Sequence, residues 1–305
     1  MPARHRPNRS PERGTSLAEL MIALVVLSIG LLAVAQLFPA GSRGQVQDRM
    51  LTTASYYAQG ADELLFMDAV ASLYGRNSLL DVVERTAREI FVPLCVGGGL
   101  RSLDDIEQAL RAGADKVGIN SAAVNRPDFI NEAARRFGSS TIVISIDANP
   151  NPKGGWQVYT DNGRENSYKD VVAWAQEAEG RGAGEILLTA IPQEGTGKGY
   201  DNALIRAVAT QVQIPVIACG GAGRPEHAAQ AVNEGRADAV CLASVLHYQV
   251  VARLQAEGFR FGNDGDFPVV AERREFARIE AGDIAAVKQA MRASGIACRL
   301  EPQAA

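Results

Sequence analysis

Gly60-Ala61-Asp62-Glu63-Leu64-Leu65 recurs as Gly182-Ala183-Gly184-Glu185-Ile186-Leu187, and two further stretches repeat at nearly the same distance. Val96-Gly97-Gly98-Gly99 returns as Ala218-Cys219-Gly220-Gly221, and Ala114-Asp115-Lys116-Val117 as Ala237-Asp238-Ala239-Val240. The offset is 122 residues for the first two pairs and 123 for the third. Around them, short apolar runs alternate with amphipathic ones. The runs at 63–68, 94–97, 116–120, 141–147, 185–189, 215–219 and 238–243 read as strands. Helical patterns lie between them, at 79–90, 103–112, 170–181 and 202–212 among others. Ser102-Leu103-Asp104-Asp105 is a capping-box start, and Pro225 suits a first helical turn. Strand and helix alternating this often imply a parallel sheet. Two similar four-unit halves close naturally into an eight-stranded α/β barrel of the (βα)8, or TIM, type. A doubly wound open sheet is the alternative, but nothing requires its sequence to repeat.

The repeat also serves as a ruler. The strand at 141–147 should have a partner 122 residues earlier, at 19–25, with Val25 where the counterpart of Asp147 belongs. That stretch instead lies inside Leu20 to Phe38, an apolar run broken only by Ser28, Gly30 and Gln36. Nineteen helical residues span about 28 Å, close to the hydrocarbon thickness of a bilayer. Arg4, Arg6, Arg9 and Arg13 against Glu12 form a basic flank ahead of it, predicting an N-in orientation and possible membrane insertion by residues 20–38. A secretory signal peptide and a buried core helix are the competing readings, the first short for this run and the second oddly uniform. The expectation is thus a barrel lacking strand 1, preceded by a long apolar helix. Residues 1–14 form a basic leader, 15–58 the apolar helix and its extension, and 59–300 the incomplete barrel.

Composition narrows the function. A net charge of −4 argues against nucleic acid as a main partner. Cys95, Cys219, Cys241 and Cys298 make no Cys-x-x-Cys pair, and His5, His227 and His247 make no ligand spacing, so no metal and no cofactor is expected. The cysteines read as small, reduced core residues.

In such barrels the site lies where strands end. Gly97-Gly98-Gly99 and Gly220-Gly221-Ala222-Gly223 fall at those ends, half a barrel apart. Glycine lets backbone N–H groups approach a phosphate, and the next helix N-terminus adds a favourable dipole. Asn120-Ser121 and Ala243-Ser244 supply small neighbours to each cluster. Tight turns alone would explain one cluster; the duplicated pairing points to two phosphate cradles, and hence to a substrate phosphorylated at both ends. Asp147 ends its strand where a carboxylate can act as general acid or base, although a helix-capping role is possible; Asp68 is a weaker candidate. Thr189 and Asn162 are candidate hydrogen-bonding groups for the substrate.

Two resemblances follow from motifs. Arg13-Gly14-Thr15-Ser16-Leu17-Ala18-Glu19-Leu20 resembles the processing site of type IV prepilins and pseudopilins. It implies cleavage after Gly14, methylation of Thr15, and pairing of Glu19 with a neighbouring subunit, since a lone intramembrane carboxylate needs a partner. Phe66-Met67-Asp68-Ala69, Val96-Gly97-Gly98-Gly99-Leu100-Arg101, Asn120-Ser121-Ala122-Ala123-Val124, Ile146-Asp147-Ala148, Gly195-Thr196-Gly197-Lys198-Gly199-Tyr200-Asp201 and Cys219-Gly220-Gly221-Ala222-Gly223 together resemble a second family. It is the cyclase subunit of imidazole glycerol phosphate synthase, in histidine biosynthesis, and the likeness runs from about Tyr57 to Tyr248 with a final helix near 284–293.

This second resemblance implies a lyase-type enzyme without cofactor. It adds ammonia from a glutaminase partner to a bis-phosphorylated ribulosyl aminoimidazole carboxamide ribotide, giving imidazole glycerol phosphate and an aminoimidazole carboxamide ribotide. The family's acid–base work is shared by two aspartates, at the ends of strands one and five. Asp147 carries over as the second, and Gly195 joins the phosphate-binding set. Glu63, Lys116 and Glu185 match charged residues that gate ammonia at the barrel's base; read without the family they are ordinary strand-start charges. The first-strand aspartate, the gate arginine and the first strand-to-helix loop have no counterpart here. Glu194 replaces a usual aspartate and Cys219 a usual serine, while residues 249–281 form a charged insert. Some relatives serve sugar amidation instead. The two resemblances also conflict over place, since the barrel family is cytoplasmic and an N-in anchor would carry the barrel across the membrane. An impaired enzyme, a pilin-like anchored subunit and an inactive fusion are the resulting readings.

Overall fold

The computed structural model describes residues 60–68, 80–256 and 279–299. Along the chain the strands are β1 (Leu64–Met67), β2 (Leu94–Gly97), β3 (Lys116–Ile119), β4 (Ile142–Pro150), β5 (Trp156–Thr160), β6 (Glu165–Asp170), β7 (Glu185–Ala190), β8 (Val216–Cys219) and β9 (Ala239–Val240). Seven of them form a parallel sheet in the order β1-β2-β3-β4-β7-β8-β9, and β5 and β6 form an antiparallel hairpin on the far end of β4. The helices are α1 (Leu80–Glu89), α2 (Leu103–Arg111), α3 (Ser121–Asn125), α4 (Asp128–Phe137), α5 (Val171–Gly180), α6 (Asn202–Ala209), α7 (Glu226–Asn233), α8 (Ser244–Ala256) and α9 (Ile284–Ala293).

Side chains alternate between the two faces of a strand, and here both faces are apolar. On one face Leu94, Val96, Val117, Ile119, Ile142, Ile144, Ile146, Ile186, Leu188, Val216 and Ala218 pack with helical residues such as Ile106, Phe129, Ile130, Trp174 and Leu204 in the main core. The intervening residues Leu65, Cys95, Val143, Leu187, Ile217, Cys219 and Cys241 form a second, smaller cluster on the opposite face. Burial on both sides is what a parallel sheet demands. It also explains why these strands read as continuous apolar runs. On that second face Lys116 of β3 reaches Glu63, beside β1, and Glu185 of β7, at 2.7 Å each. Each carboxylate lies two strands from Lys116, a spacing of roughly 9.6 Å in a flat sheet. Meeting one ammonium from both sides requires the sheet to curl toward this face.

Local chemistry sets the helix starts. Ser102 Oγ accepts from the Asp105 N–H at 3.1 Å while Asp105 Oδ2 accepts from the Ser102 N–H at 2.9 Å, the expected capping box. Asp170, Asp201 and Asp283 cap α5, α6 and α9 through their side chains, and Pro225 stands at the start of α7.

All seven expected strands are present. Among the described residues β1 pairs only with β2 and β9 only with β8, and β9 is two residues long where six were expected. The stretch 19–25, the apolar run 20–38 and the sites Gly14, Thr15 and Glu19 lie outside the described residues. Among the described residues no helix is long and apolar enough to cross a membrane. The expected boundary of the charged insert at 249 falls within α8, which runs unbroken from Ser244 to Ala256.

Candidate active site

Asp147 sits near the middle of the long β4, beside Thr189 of β7 in register. Its Oδ2 accepts a hydrogen bond from Asn120 Nδ2 at 3.0 Å, and the same amide nitrogen donates to the Tyr159 carbonyl at 3.3 Å. Asn120 is thus held by the strand bearing the carboxylate and by the hairpin beyond it. Burial, with the charge of Glu194 in support, raises the Asp147 pKa from 3.8 to about 6 against the opposing Asn120 hydrogen bond. A carboxyl poised there exchanges protons near neutrality, as general acid–base catalysis needs. The acidic alternative of helix capping does not apply, because Asp147 lies within a strand.

At the two glycine clusters expected to hold phosphate, the close contacts are made by backbone. Asp68 N–H donates to the Gly97 carbonyl at 2.9 Å, and Gly98, at φ +100°, leaves no room for a Cβ against the Asp68 carbonyl. Asp68 is buried beside this first glycine cluster. Ser121 Oγ bonds Asp161, donating to its carboxylate at 3.3 Å and accepting from its N–H at 3.0 Å. That contact brings the turn containing the exposed Asn162 to the Asn120-Ser121 loop. On the other side, the Gly199 N–H donates to the Gly221 carbonyl at 2.8 Å, tying the loop that holds Gly195 to the second glycine cluster. A Cβ on Gly220 would stand 3.5 Å from Thr189 Cγ2, so this cluster borders the Thr189 strand end. Ala243 and Ser244 open α8 just past β9.

Glu63, Lys116 and Glu185 occupy the opposite, N-terminal ends of their strands. Cys95 and Val143 stand beside Lys116 and Glu185 in register, on the same face of the sheet. Burial works to lower the Lys116 pKa, but hydrogen bonds to Glu185 and Glu63 outweigh it and raise the pKa.

A family model described as histidine biosynthesis protein matches residues 41–252. The chain belongs to that family. It is 59% identical to imidazole glycerol phosphate synthase subunit HisF of Legionella pneumophila over 172 residues, 56% of this chain and 81% of the relative. It is 53% identical to the HisF subunit of Dehalococcoides mccartyi over 195 residues, 64% of this chain and 77% of the relative. For the Symbiobacterium thermophilum subunit the identity is 51% over 200 residues, 66% and 79% of the two chains. The histidine biosynthesis match begins sixteen residues ahead of Tyr57, where the motifs alone placed its start. A second model, the prokaryotic N-terminal methylation motif, matches residues 9–35. The two matches do not overlap.

Three features of the site escaped the sequence. The hairpin of β5 and β6 was not anticipated, although Gly154-Gly155 and Asp161-Asn162-Gly163 amid alternating residues are hairpin signals. Asp161 and Asn162 adopt φ +50° and +58°, as such a turn requires. Glu194 acts on Asp147 through charge from a separate loop, for which sequence offers no signal. Finally, Cys219 lies beside Thr189 in register and shares one face of the sheet with Cys241.

Proposed function

We propose that this chain carries the bis-phosphate site of an ammonia-dependent cyclase, the cyclase subunit of imidazole glycerol phosphate synthase, in a barrel lacking its first strand. The observation that carries the reading is the Asp147 carboxyl. It is half-buried, held by Asn120, raised to about 6, and flanked on both sides by glycine-built strand ends. Gly98, Gly99, Asn120 and Ser121 hold one phosphate; Gly195, Gly220, Gly221, Ala243 and Ser244 hold the other. Between them Asp147 transfers protons while Thr189 and Asn162 bond the substrate's polar groups, with Asp68 at the margin. Ammonia comes from a glutaminase partner and enters past Glu63, Lys116 and Glu185 at the far end of the sheet. These roles rest on the geometry together with the kinship to the HisF subunits.

Turnover in this chain is impaired. The methylation motif fills residues 9–35, where the repeat places the first strand and its aspartate, and among the described residues β1 pairs only with β2 and β9 only with β8. Loss of one acid–base group lowers rate by about 10²–10⁴. Assaying the purified full chain with ammonium salt and the bis-phosphorylated ribotide tests this; turnover within a few-fold of a complete HisF subunit sinks it. The methylation motif favours a second reading, in which Gly14 is a cleavage site, Thr15 a methylated terminus and residues 20–38 a membrane anchor. Cell fractionation separates the two, since recovery of the uncleaved chain in the soluble fraction is incompatible with the anchor.

A further inference from the structure

Three of the four cysteines line one face of the sheet, and two of them are neighbours across it. The β8–β9 ladder pairs Ile217 with Ala239 and Ala218 with Val240, and the Cys241 N–H continues it by donating to the Ala218 carbonyl at 2.8 Å. The next rung sets Cys219 beside Cys241. Both side chains pack against the Cys95, Val143 and Leu187 cluster, on the same face, close enough for each thiol to shift the other's titration. Adjacent strands lie about 4.8 Å apart, inside the roughly 4.4–6.8 Å Cα separation that a disulfide spans. All four thiols are free in this state.

We propose that Cys219 and Cys241 form a reversible oxidation site, closing to a disulfide on exposure to a hydroperoxide and reopening with a dithiol. The two thiols are not equivalent. Interaction with Cys241 lowers the Cys219 pKa against the effect of burial, with Thr189 assisting, whereas the neighbouring Cys219 and burial hold Cys241 well above its ordinary value. Cys219 is therefore the nucleophile, because the thiolate is the reactive form. Its sulfur attacks one peroxide oxygen, the O–O bond breaks, and hydroxide leaves with a sulfenic acid remaining on Cys219. The Cys241 sulfur then attacks the Cys219 sulfur. The S–S bond forms as the S–O bond breaks, and the hydroxyl leaves with the Cys241 proton as water. Two thiols are oxidised by two electrons, and one peroxide is reduced. Cys95 takes no part, since burial and Glu63 push its thiol up to about 12.

The position gives the pair a consequence. Cys219 immediately precedes Gly220-Gly221, and Cys241 precedes Ala243-Ser244 by one residue. A bridge would clamp together the roots of the two loops assigned above to one phosphate, and this part of the inference rests on that assignment. Tyr200 already braces the same spot, its hydroxyl donating to the Cys241 carbonyl at 2.9 Å.

Hydrogen peroxide treatment of the native full chain, followed by alkylation and peptide mass mapping without reduction, tests the site. The expected product is a Cys219–Cys241 cross-linked peptide that dithiothreitol removes. It should be absent from Cys219→Ser, while Cys241→Ser should accumulate a dimedone-reactive sulfenic acid at Cys219. Alkylation of both residues after peroxide treatment, or dimedone capture at Cys241 in place of Cys219, overturns the proposal. Inorganic phosphate binding, compared before and after oxidation, reads the clamp separately. Cross-linking without any change in phosphate affinity would preserve the oxidation site and remove the phosphate assignment of these two loops.

Discussion

Replacing Asp147 by asparagine should make the protein more stable at pH 8 and leave its stability at pH 4 nearly unchanged. The carboxyl goes from an ordinary 3.8 to about 6 on folding, mainly because burial penalises its charge. At about 1.4 kcal/mol per tenfold change in proton affinity, this corresponds to roughly 3 kcal/mol at most. The sign follows from the direction of the shift. Below pH 4 both the folded and the unfolded chain hold the proton, and the residue contributes no penalty. As the pH rises from 4 through 6 the unfolded chain releases its proton first, and the folded state falls behind by the full amount. Asparagine has no proton to lose, so the variant escapes this loss, and its amide oxygen can still accept from Asn120. Urea unfolding of the full chain at pH 4.5, 6 and 8 measures the effect. The gain of the variant should grow across that range to between about 1 and 3 kcal/mol, while acid–base turnover disappears. A variant destabilised equally at all three pH values would refute the reasoning. Asp147 would then be a structural carboxylate whose hydrogen bonds matter more than its burial.

Lys116→Met removes the only cation bonded to both Glu63 and Glu185 among the described residues, leaving two half-buried carboxylates facing one another. Chemical denaturation should show a loss of about 2 kcal/mol, below the value for a fully buried pair because each group keeps some solvent. If the cluster gates ammonia, glutamine-driven turnover should fall more than turnover fed with ammonium salt; an equal fall assigns it to structure alone. Gly98→Ala places a Cβ against the Asp68 carbonyl at φ +100°. A destabilisation above about 2 kcal/mol, with weakened binding of inorganic phosphate, is the expected outcome in thermal unfolding and calorimetry. A neutral result would show that the loop can turn away from Asp68.

The parts of this protein that were legible in advance are those governed by local pattern. Strand positions followed from apolar runs because the sheet is buried on both faces; one helix start followed from the Ser102 capping box, a contact within four residues, and another from Pro225, whose ring fixes φ for a first turn. The duplicated glycines were legible for a related reason. At Gly98 and Gly221 the backbone conformation and a neighbouring carbonyl both exclude a Cβ, so the residue type records the geometry. What was hidden depends on elements distant in the chain. Nothing near Asp147 announces that Glu194 will raise its pKa, and the spacing of Cys219 and Cys241 gives no hint that one ladder rung sets them side by side.

The same distinction clarifies the tension between the two halves of the chain. Curling toward the Lys116 face is enforced by interactions among β1, β3 and β7 that need no first strand. The helix-packed core likewise runs continuously from Val83 to Val245. A missing wall would therefore weaken the barrel at one seam and leave both proposed phosphate cradles on strands that keep a paired neighbour. Binding and catalysis should then come apart: phosphate affinity should survive in a chain whose turnover does not. Calorimetric titration with inorganic phosphate, run beside the turnover assay, decides this. Loss of both together would mean that the seam between β1 and β9 unravels the sheet and that the two half-barrels do not stand without a closing strand.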